Sequence, residues 1–133
     1  MDIQNTRILL INANDALRAS DRDVLQAAGF STVIEGKEPP VEGVVAAGAW
    51  GQWDLLIVEW RPDGLEMVQA LRAEEGTRHK PVIGITSDPS PELAVEALRV
   101  AGANGWIVRP ISDPVRRVQT AIERAAAKAA EVA

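Results

Sequence analysis

Five short apolar runs recur along the chain, and each is followed by polar residues, glycine or proline. The runs cover residues 7–11, 31–35, 54–58, 81–85 and 105–108. Apolar runs of this length are typical of strands that are buried on both faces of a parallel sheet. The pattern therefore predicts five central strands.

Between the runs, apolar residues recur at helical spacing. The predicted inward positions include Leu17, Val24, Leu25 and Ala28, then Leu65, Val68 and Leu71, then Leu93, Ala97, Leu98 and Ala101, and finally Val115, Val118, Ile122 and Ala125. Asp15 is expected to cap the first helix, and Ser90 the fourth. A second helix over residues 41–51 has the least support, because Gly43 and Gly48 each cost about 1 kcal/mol relative to alanine. The Ala-rich tail over residues 125–133 is expected to fray.

Alternation of strands and helices predicts an α/β fold with a parallel sheet and right-handed crossovers. We expect a flavodoxin-like (βα)5 architecture: a doubly wound, five-stranded sheet in the order 2-1-3-4-5, with helices on both faces. No repeat or linker divides the sequence. Residues 1–133 are thus expected to form a single domain, with a core over about residues 7–124.

The composition restricts the class of function. The chain has 133 residues, a net charge of −5, no cysteine and 47% hydrophobic residues. An acidic chain is a poor candidate for non-specific nucleic-acid binding, and the lack of cysteine excludes thiol catalysis and disulfides. There is neither a signal-peptide pattern nor an apolar run of roughly 20 residues. A cytoplasmic domain that contacts neither membrane nor nucleic acid is expected.

Candidate chemistry lies where the predicted strands end, because ligands of open α/β sheets bind beyond the carboxyl ends of the strands. In the order 2-1-3-4-5, four strand ends surround one crevice. They carry Asn12 and Ala13, Glu59, Thr86, and Arg109 followed by Pro110. Glu59 stands at the centre of this group.

Several segments, in this order and at this spacing, resemble the receiver domain of bacterial two-component response regulators. They are residues 8–11, 53–58, 62–64, 81–86, 91–98 and 102–110. The resemblance runs from about residue 7 to residue 122. It implies a signalling domain with two acidic residues after the first strand for magnesium and an aspartate after the third as phosphoacceptor. It also implies Thr or Ser after the fourth strand, and a lysine before proline after the fifth.

The sequence departs from that pattern at most of the chemical positions. Asn12 and Ala13 replace the acidic pair, Glu59 replaces the acceptor aspartate, and Arg109 replaces the lysine. The loop after the acceptor position is also shorter than the family segment. Thr86 and Pro110 fit the pattern.

These departures change the predicted chemistry of the crevice. Magnesium prefers several hard oxygen ligands, which an amide and an alanine supply poorly. Glu59 carries its carboxylate about 1.5 Å further than an aspartate would, and a misplacement of about 1 Å can cost a hundredfold in rate. We therefore expect no metal, no cofactor and no catalytic residue.

Two interpretations of Glu59 and Arg109 remain open. A guanidinium can hold a carboxylate with two hydrogen bonds, so the pair could be a permanent ion pair that fixes one state without phosphorylation. Alternatively, Arg109 points to solvent and Glu59 is a hydrated remnant.

A partner surface is predicted from the tryptophans and the last helix. Trp106 occupies the position of the family's rotating aromatic residue, and Trp60 lies beside the crevice; both are candidates, although packing is an equal or commoner role for tryptophan. Arg116 and Arg117 on the last helix are either a solvated face or part of a docking surface. Trp50 and Trp53 are expected in the core, and His79 in a solvated loop.

The function favoured by these residues is that of an atypical receiver, a phosphorylation-independent protein-interaction module without enzyme activity. Its partner would be a histidine kinase, an output domain or another signalling protein. A homodimer through the fourth predicted helix, the fifth strand and the fifth helix is also possible. The alternative is a receiver still regulated by atypical phosphorylation or by a small ligand in the crevice. A flavin or nucleotide binder is disfavoured, because residues 12–15 contain neither glycine nor hydroxyl.

Overall fold

The structure is a computed structural model that describes residues 1–37 and 52–131. Its elements are β1 (Arg7–Ile11), α1 (Asp15–Ala27), β2 (Thr32–Gly36), β3 (Leu55–Glu59), α2 (Gly64–Ala73), β4 (Val82–Thr86), α3 (Pro91–Val95), which continues as a π-helical segment (Glu96–Ala101), β5 (Gly105–Val108) and α4 (Pro114–Glu131). The helix predicted over 41–51 and the core role of Trp50 fall outside the described residues. The observed α1 to α4 thus match the first, third, fourth and fifth predicted helices.

The five strands form one sheet in the order β2-β1-β3-β4-β5, and every pairing is parallel. The predicted fold class and strand order are therefore confirmed. Ile11 pairs with Val58, and Glu59 pairs with Ile85. This register brings the carboxyl ends of β1, β3 and β4 to one edge of the sheet, where the candidate residues were expected.

Two hydrophobic clusters lie on opposite faces of the sheet, because successive side chains of a strand point to alternate faces. On one face, residues of α2 and α3 such as Leu71 and Ala97 pack against Leu56 and Val58. On the other face, Leu25 of α1 and Val118 of α4 pack in the second cluster. The prediction of helices on both faces is confirmed.

Three details of the helices differ from the sequence prediction. Asn14, not Asp15, caps α1, because its side chain accepts a hydrogen bond from the Leu17 amide at 3.0 Å. Ser90 occupies the cap position of α3, but its hydroxyl bonds to Glu92 and makes no capping bond. The Ala-rich tail continues α4 to Glu131, since alanine has the highest intrinsic helix propensity.

Leu98 was predicted on the buried stripe of α3 and is instead 38% exposed. The buried positions follow a spacing of four residues through Leu93, Ala97 and Ala101, and Leu98 lies just beyond that row. Val95 and Val100 of the same helix are also exposed. None of the helices within the described residues is both long and apolar enough to span a membrane.

Candidate functional site

The candidate site lies beyond the carboxyl ends of β3, β4 and β5. Glu59 is the last residue of β3. Arg109 directly follows β5, and its backbone amide donates to the carbonyl of Thr86 at 2.8 Å. This bond fixes the start of the Arg109 side chain against the end of β4, so the guanidinium can reach back across the crevice.

Of the two interpretations of Glu59 and Arg109 that the sequence left open, the structure has the one in which the side chains are in contact. Nη1 of Arg109 lies 3.2 Å from Oε1 and 3.0 Å from Oε2 of Glu59. The same nitrogen lies 3.1 Å from the hydroxyl of Ser87. The Glu59 side chain is only 20% exposed and that of Arg109 10%, so the pair is shielded from most of the solvent.

Asp21 is a second carboxylate on the same guanidinium, and the sequence prediction missed it. Nε of Arg109 lies 3.2 Å from each oxygen of Asp21, and Nη2 lies 2.8 Å from Oδ2. Asp21 belongs to α1 and is 4% exposed. A sequence signal existed, because Asp21 stands on the apolar stripe of α1, four residues after Leu17 and four before Leu25.

One cation is therefore shared by two carboxylates, which leaves the cluster with an excess of negative charge. Burial raises the pKa of the Glu59 carboxyl above its usual value; Arg109 opposes this shift, and the charge of Asp21 adds to it. Burial acts to lower the pKa of the Arg109 guanidinium, but Asp21 and then Glu59 outweigh it and raise that pKa. Arg109 is thus held as a permanent cation, while Glu59 takes up a proton more readily than an exposed glutamate.

The two positions that replace the acidic pair offer little to a cation. Asn12 is 4% exposed, and its Oδ1 accepts a hydrogen bond from the Asn14 amide at 2.9 Å. Its buried Nδ2, a donor, has no partner among the described residues. Ala13 is exposed, and its side chain has no oxygen or nitrogen atom that could bind a metal ion. Asn12, Glu59 and Arg61 are among the residues that line a small cavity of about 40 Å³, which has room for water.

Magnesium, the ion that the resemblance to receiver domains implies, does not fit these side chains. It requires several hard oxygen ligands in near-octahedral geometry. Both oxygens of Glu59 are engaged by Arg109, and Asn12 turns a donor towards buried space. Within residues 1–37 and 52–131, no group of three acidic or histidine side chains could hold a metal ion.

Thr86 ends β4 and is 5% exposed. Its hydroxyl accepts a hydrogen bond from the Asp88 amide at 3.0 Å, so it stabilises the turn after β4. The hydroxyl that contacts Arg109 is that of the next residue, Ser87. The predicted Thr86 therefore lies at the crevice, but the polar contact across the crevice comes from its neighbour.

Trp60 was predicted as a possible partner surface, and this expectation is wrong because the residue is 0% exposed. Its Nε1 donates to Oε1 of Glu96 at 2.8 Å, which satisfies the buried indole. The ring occupies space that Gly64 leaves open: a Cβ added there would lie 2.7 Å from Cε3 of Trp60. The indole is therefore part of the core between β3 and α3.

Trp106 of β5 packs edge-on against Trp60, with ring centroids 5.9 Å apart and an interplanar angle of 86°. Gly84 of β4 makes room for it, because a Cβ at Gly84 would meet Cζ3 of Trp106 at 2.8 Å. Trp106 is half-buried. This geometry favours a packed aromatic residue, while a role in partner binding stays a prediction.

The other residues named in the sequence analysis differ in position and exposure. Arg116 and Arg117 are exposed on α4 and, with part of Trp106, line a groove of about 380 Å³ beside β5. Pro110 is exposed next to Arg109, and His79 is exposed in the loop before β4. Trp53 is 3% exposed, as its predicted core role requires.

Comparisons with known proteins agree with this fold. No family model matches the chain. It is 28% identical over 114 residues to the chemotaxis protein CheY-3 of Vibrio cholerae, covering 82% of this chain and 84% of that protein. It is 26% identical over 125 residues to the chemotaxis protein CheY of Pseudomonas aeruginosa, covering 89% and 97%. The solved structure of CheY4 of Vibrio cholerae superposes with a TM-score of 0.67 at 25% identity, covering 90% and 98%.

Proposed function

We propose that this chain, whose relatives in sequence and in structure are CheY-like receiver domains of response regulators, is a signalling module that does not depend on phosphorylation. In place of a metal and a phosphoryl group, a built-in ion cluster of Arg109, Asp21 and Glu59 holds the crevice in one state. Signalling then takes place through protein contacts of this fixed state.

The observation that carries the proposal is the position of the Arg109 guanidinium. Its Nη1 contacts both carboxylate oxygens of Glu59, while Nε and Nη2 contact Asp21. A guanidinium in this place supplies the positive charge that a metal would supply, without dissociating or depending on pH. It also covers the oxygens of Glu59 that a phosphoryl donor would have to reach.

The remaining residues of the crevice support the same reading. Asn12 and Ala13 supply no carboxylate for magnesium, and phosphoryl transfer depends on such an ion to neutralise developing charge. Glu59 lies at the strand end where an acceptor would stand, but its side chain is one methylene longer than aspartate. The carboxylate of Glu59 would therefore lie about 1.5 Å from the position that the carboxylate of an acceptor aspartate takes for attack on the phosphorus atom.

The partner of such a module is a protein, namely a histidine kinase, an output domain or another signalling protein. The groove beside β5, with Arg116, Arg117 and part of Trp106, is the proposed contact surface. Val95 at the end of α3 and Leu98 of the π-helical segment are further exposed apolar residues. A homodimer that uses α3, β5 and α4 is a second arrangement of the same surface.

A phosphodonor assay tests this function. The chain is incubated with magnesium and acetyl phosphate, and its intact mass is measured. We expect no mass gain of one phosphoryl group. The matched control is a variant with Asn12→Asp, Ala13→Asp, Glu59→Asp and Arg109→Lys, which restores the receiver pattern on the same fold; we expect it to become labelled. Circular dichroism verifies that the variant is folded.

Labelling of the wild-type chain at Glu59 would overturn the proposal. An unlabelled wild type beside a labelled, folded variant would show that these four positions, and not the fold, determine the loss of phosphorylation.

A further inference from the structure

A second polar site lies at the opposite edge of the sheet, where the strands begin. Asn104 directly precedes β5, Arg72 stands in the last turn of α2, and Arg78 and His79 lie in the loop before β4. Together with Lys128 of α4, they line a cavity of about 230 Å³. None of the crevice residues named in the sequence analysis lines this cavity.

Arg72 is the half-buried cation of this cavity. All its donor groups are used: Nε and Nη2 bond to the carbonyl of Gly102, Nη1 to the carbonyls of Arg78 and Lys80, and Nη2 also to Oδ1 of Asn104, at 2.8 to 3.1 Å. Every acceptor is neutral. No carboxylate within residues 1–37 and 52–131 lies within salt-bridge distance of Arg72.

The charge of Arg72 is therefore not neutralised by the described part of the chain. Burial lowers the pKa of the Arg72 guanidinium, and no neighbouring charge contributes to that shift. Arginine nevertheless remains charged in proteins. A positive charge in a partly buried place, without a counterion, attracts an anion.

The cavity carries further cations. Arg78, His79 and Lys128 are exposed, and none of them forms a salt bridge within the described residues. None of the described residues that line the cavity is an aspartate or a glutamate. The whole chain has a net charge of −5, so a concave site lined by three permanent cations is opposite in sign to the net charge of the molecule.

A purely structural role of Arg72 explains its hydrogen bonds. It does not explain why other cations line the same cavity. The bonds tie the end of α2 to the turn between α3 and β5. They do not require Arg78 and Lys128 to converge on the same concave surface without an acidic partner.

From this arrangement we infer that the cavity of Arg72, Arg78, Asn104 and Lys128 binds a small phosphate-bearing anion. Arg78 and Lys128 would donate to the phosphate oxygens, because their donors are free among the described residues. The Nδ2 of Asn104 would be a third donor, since only Oδ1 of that side chain is engaged. Arg72 would contribute its positive charge from the wall of the cavity, without a free hydrogen-bond donor. The cavity volume exceeds that of a single phosphate, which leaves room for a second phosphate or a short organic substituent.

Isothermal titration calorimetry of the full chain, with inorganic phosphate and with pyrophosphate as probes, tests the site at low ionic strength. We expect saturable binding of both, with pyrophosphate the tighter. Amide spectra by nuclear magnetic resonance locate the site, and we expect the shifts to be concentrated at His79, Gly102 and Asn104. Sodium chloride at the same ionic strength should produce no such shifts. Lack of saturation, or shifts concentrated at Asn12 and Glu59, would overturn the inference.

Paired variants separate a built site from general charge attraction. Arg78→Gln with Lys128→Gln removes two exposed cations of the cavity; the control, Lys37→Gln with Arg99→Gln, removes two exposed cations elsewhere. A hydrogen bond to a charged group contributes about 1.5 kcal/mol or more, so we expect roughly tenfold weaker binding for each cation removed from the cavity. The control should bind nearly as the wild type does. Equal losses in both pairs would contradict the proposed site.

Discussion

Arg109 and Asp21 lie 88 positions apart in the sequence, yet Nη2 of the arginine is 2.8 Å from Oδ2 of the aspartate. Asp21 belongs to α1, and it accepts hydrogen bonds from Nε as well as from Nη2 of Arg109. Glu59 receives only Nη1 of the same guanidinium. Asp21 therefore orients Arg109, and Glu59 is the carboxylate to which the oriented arginine extends.

Removing the charge of Asp21 should weaken the fold. In Asp21→Asn, Arg109 keeps Glu59 but loses a buried anion, and we expect the free energy of unfolding to fall by about 1–3 kcal/mol in urea denaturation. Asp23→Asn is the control. Asp23 pairs with Arg22, its side chain is 68% exposed, and surface pairs contribute about 0–1 kcal/mol. An equal effect of both substitutions would show that the buried contact does not stabilise the chain.

Glu59 should give stability a specific dependence on pH. Because its pKa in the folded state lies above the usual 4.5, the folded chain binds this proton more tightly than the unfolded chain. Stability from this group is fully present below the usual value and is lost as pH rises through the folded-state pKa. Urea unfolding of the wild type and of Glu59→Gln over roughly pH 4 to 7 checks this. We expect the wild type to lose stability relative to the variant as pH rises; a relative gain would contradict the raised pKa.

The paired tryptophans depend on a glycine of β4. In Gly84→Ala, the new Cβ would lie 2.8 Å from Trp106 and 3.1 Å from Trp60, so both rings must shift. Such overpacking costs about 1–3 kcal/mol, and near-ultraviolet circular dichroism of the tryptophans should change. Gly76→Ala is the matched control, since a Cβ there meets nothing within 4 Å. If Gly84→Ala behaves like the control, the tryptophans are not packed as described.

Much of the fold was predictable because the apolar runs of a parallel sheet are local signals. The runs at 7–11 and 105–108 match their strands residue for residue. The direct contact of Glu59 and Arg109 was one of two interpretations that the sequence left open, since both residues stand at strand ends that the topology brings together. The role of Asp21 was not predicted, because it depends on how far the side chain of Arg109 extends towards α1. The burial of Trp60 was not predicted either. Its ring fills the space beside Gly64, and the sequence alone does not show that the ring turns towards this glycine.

In the proposed function, the cluster of Arg109, Asp21 and Glu59 replaces the metal and the phosphoryl group. The most direct test is a nuclear magnetic resonance titration of the wild-type chain with magnesium and the phosphoryl mimic beryllofluoride, following the amides of Glu59, Thr86 and Arg109. The variant with the restored receiver pattern is the positive control, and it should show saturable shifts. We expect no change in the chemical shifts of these amides in the wild type. Saturable shifts of these amides in the wild type would contradict the proposed function.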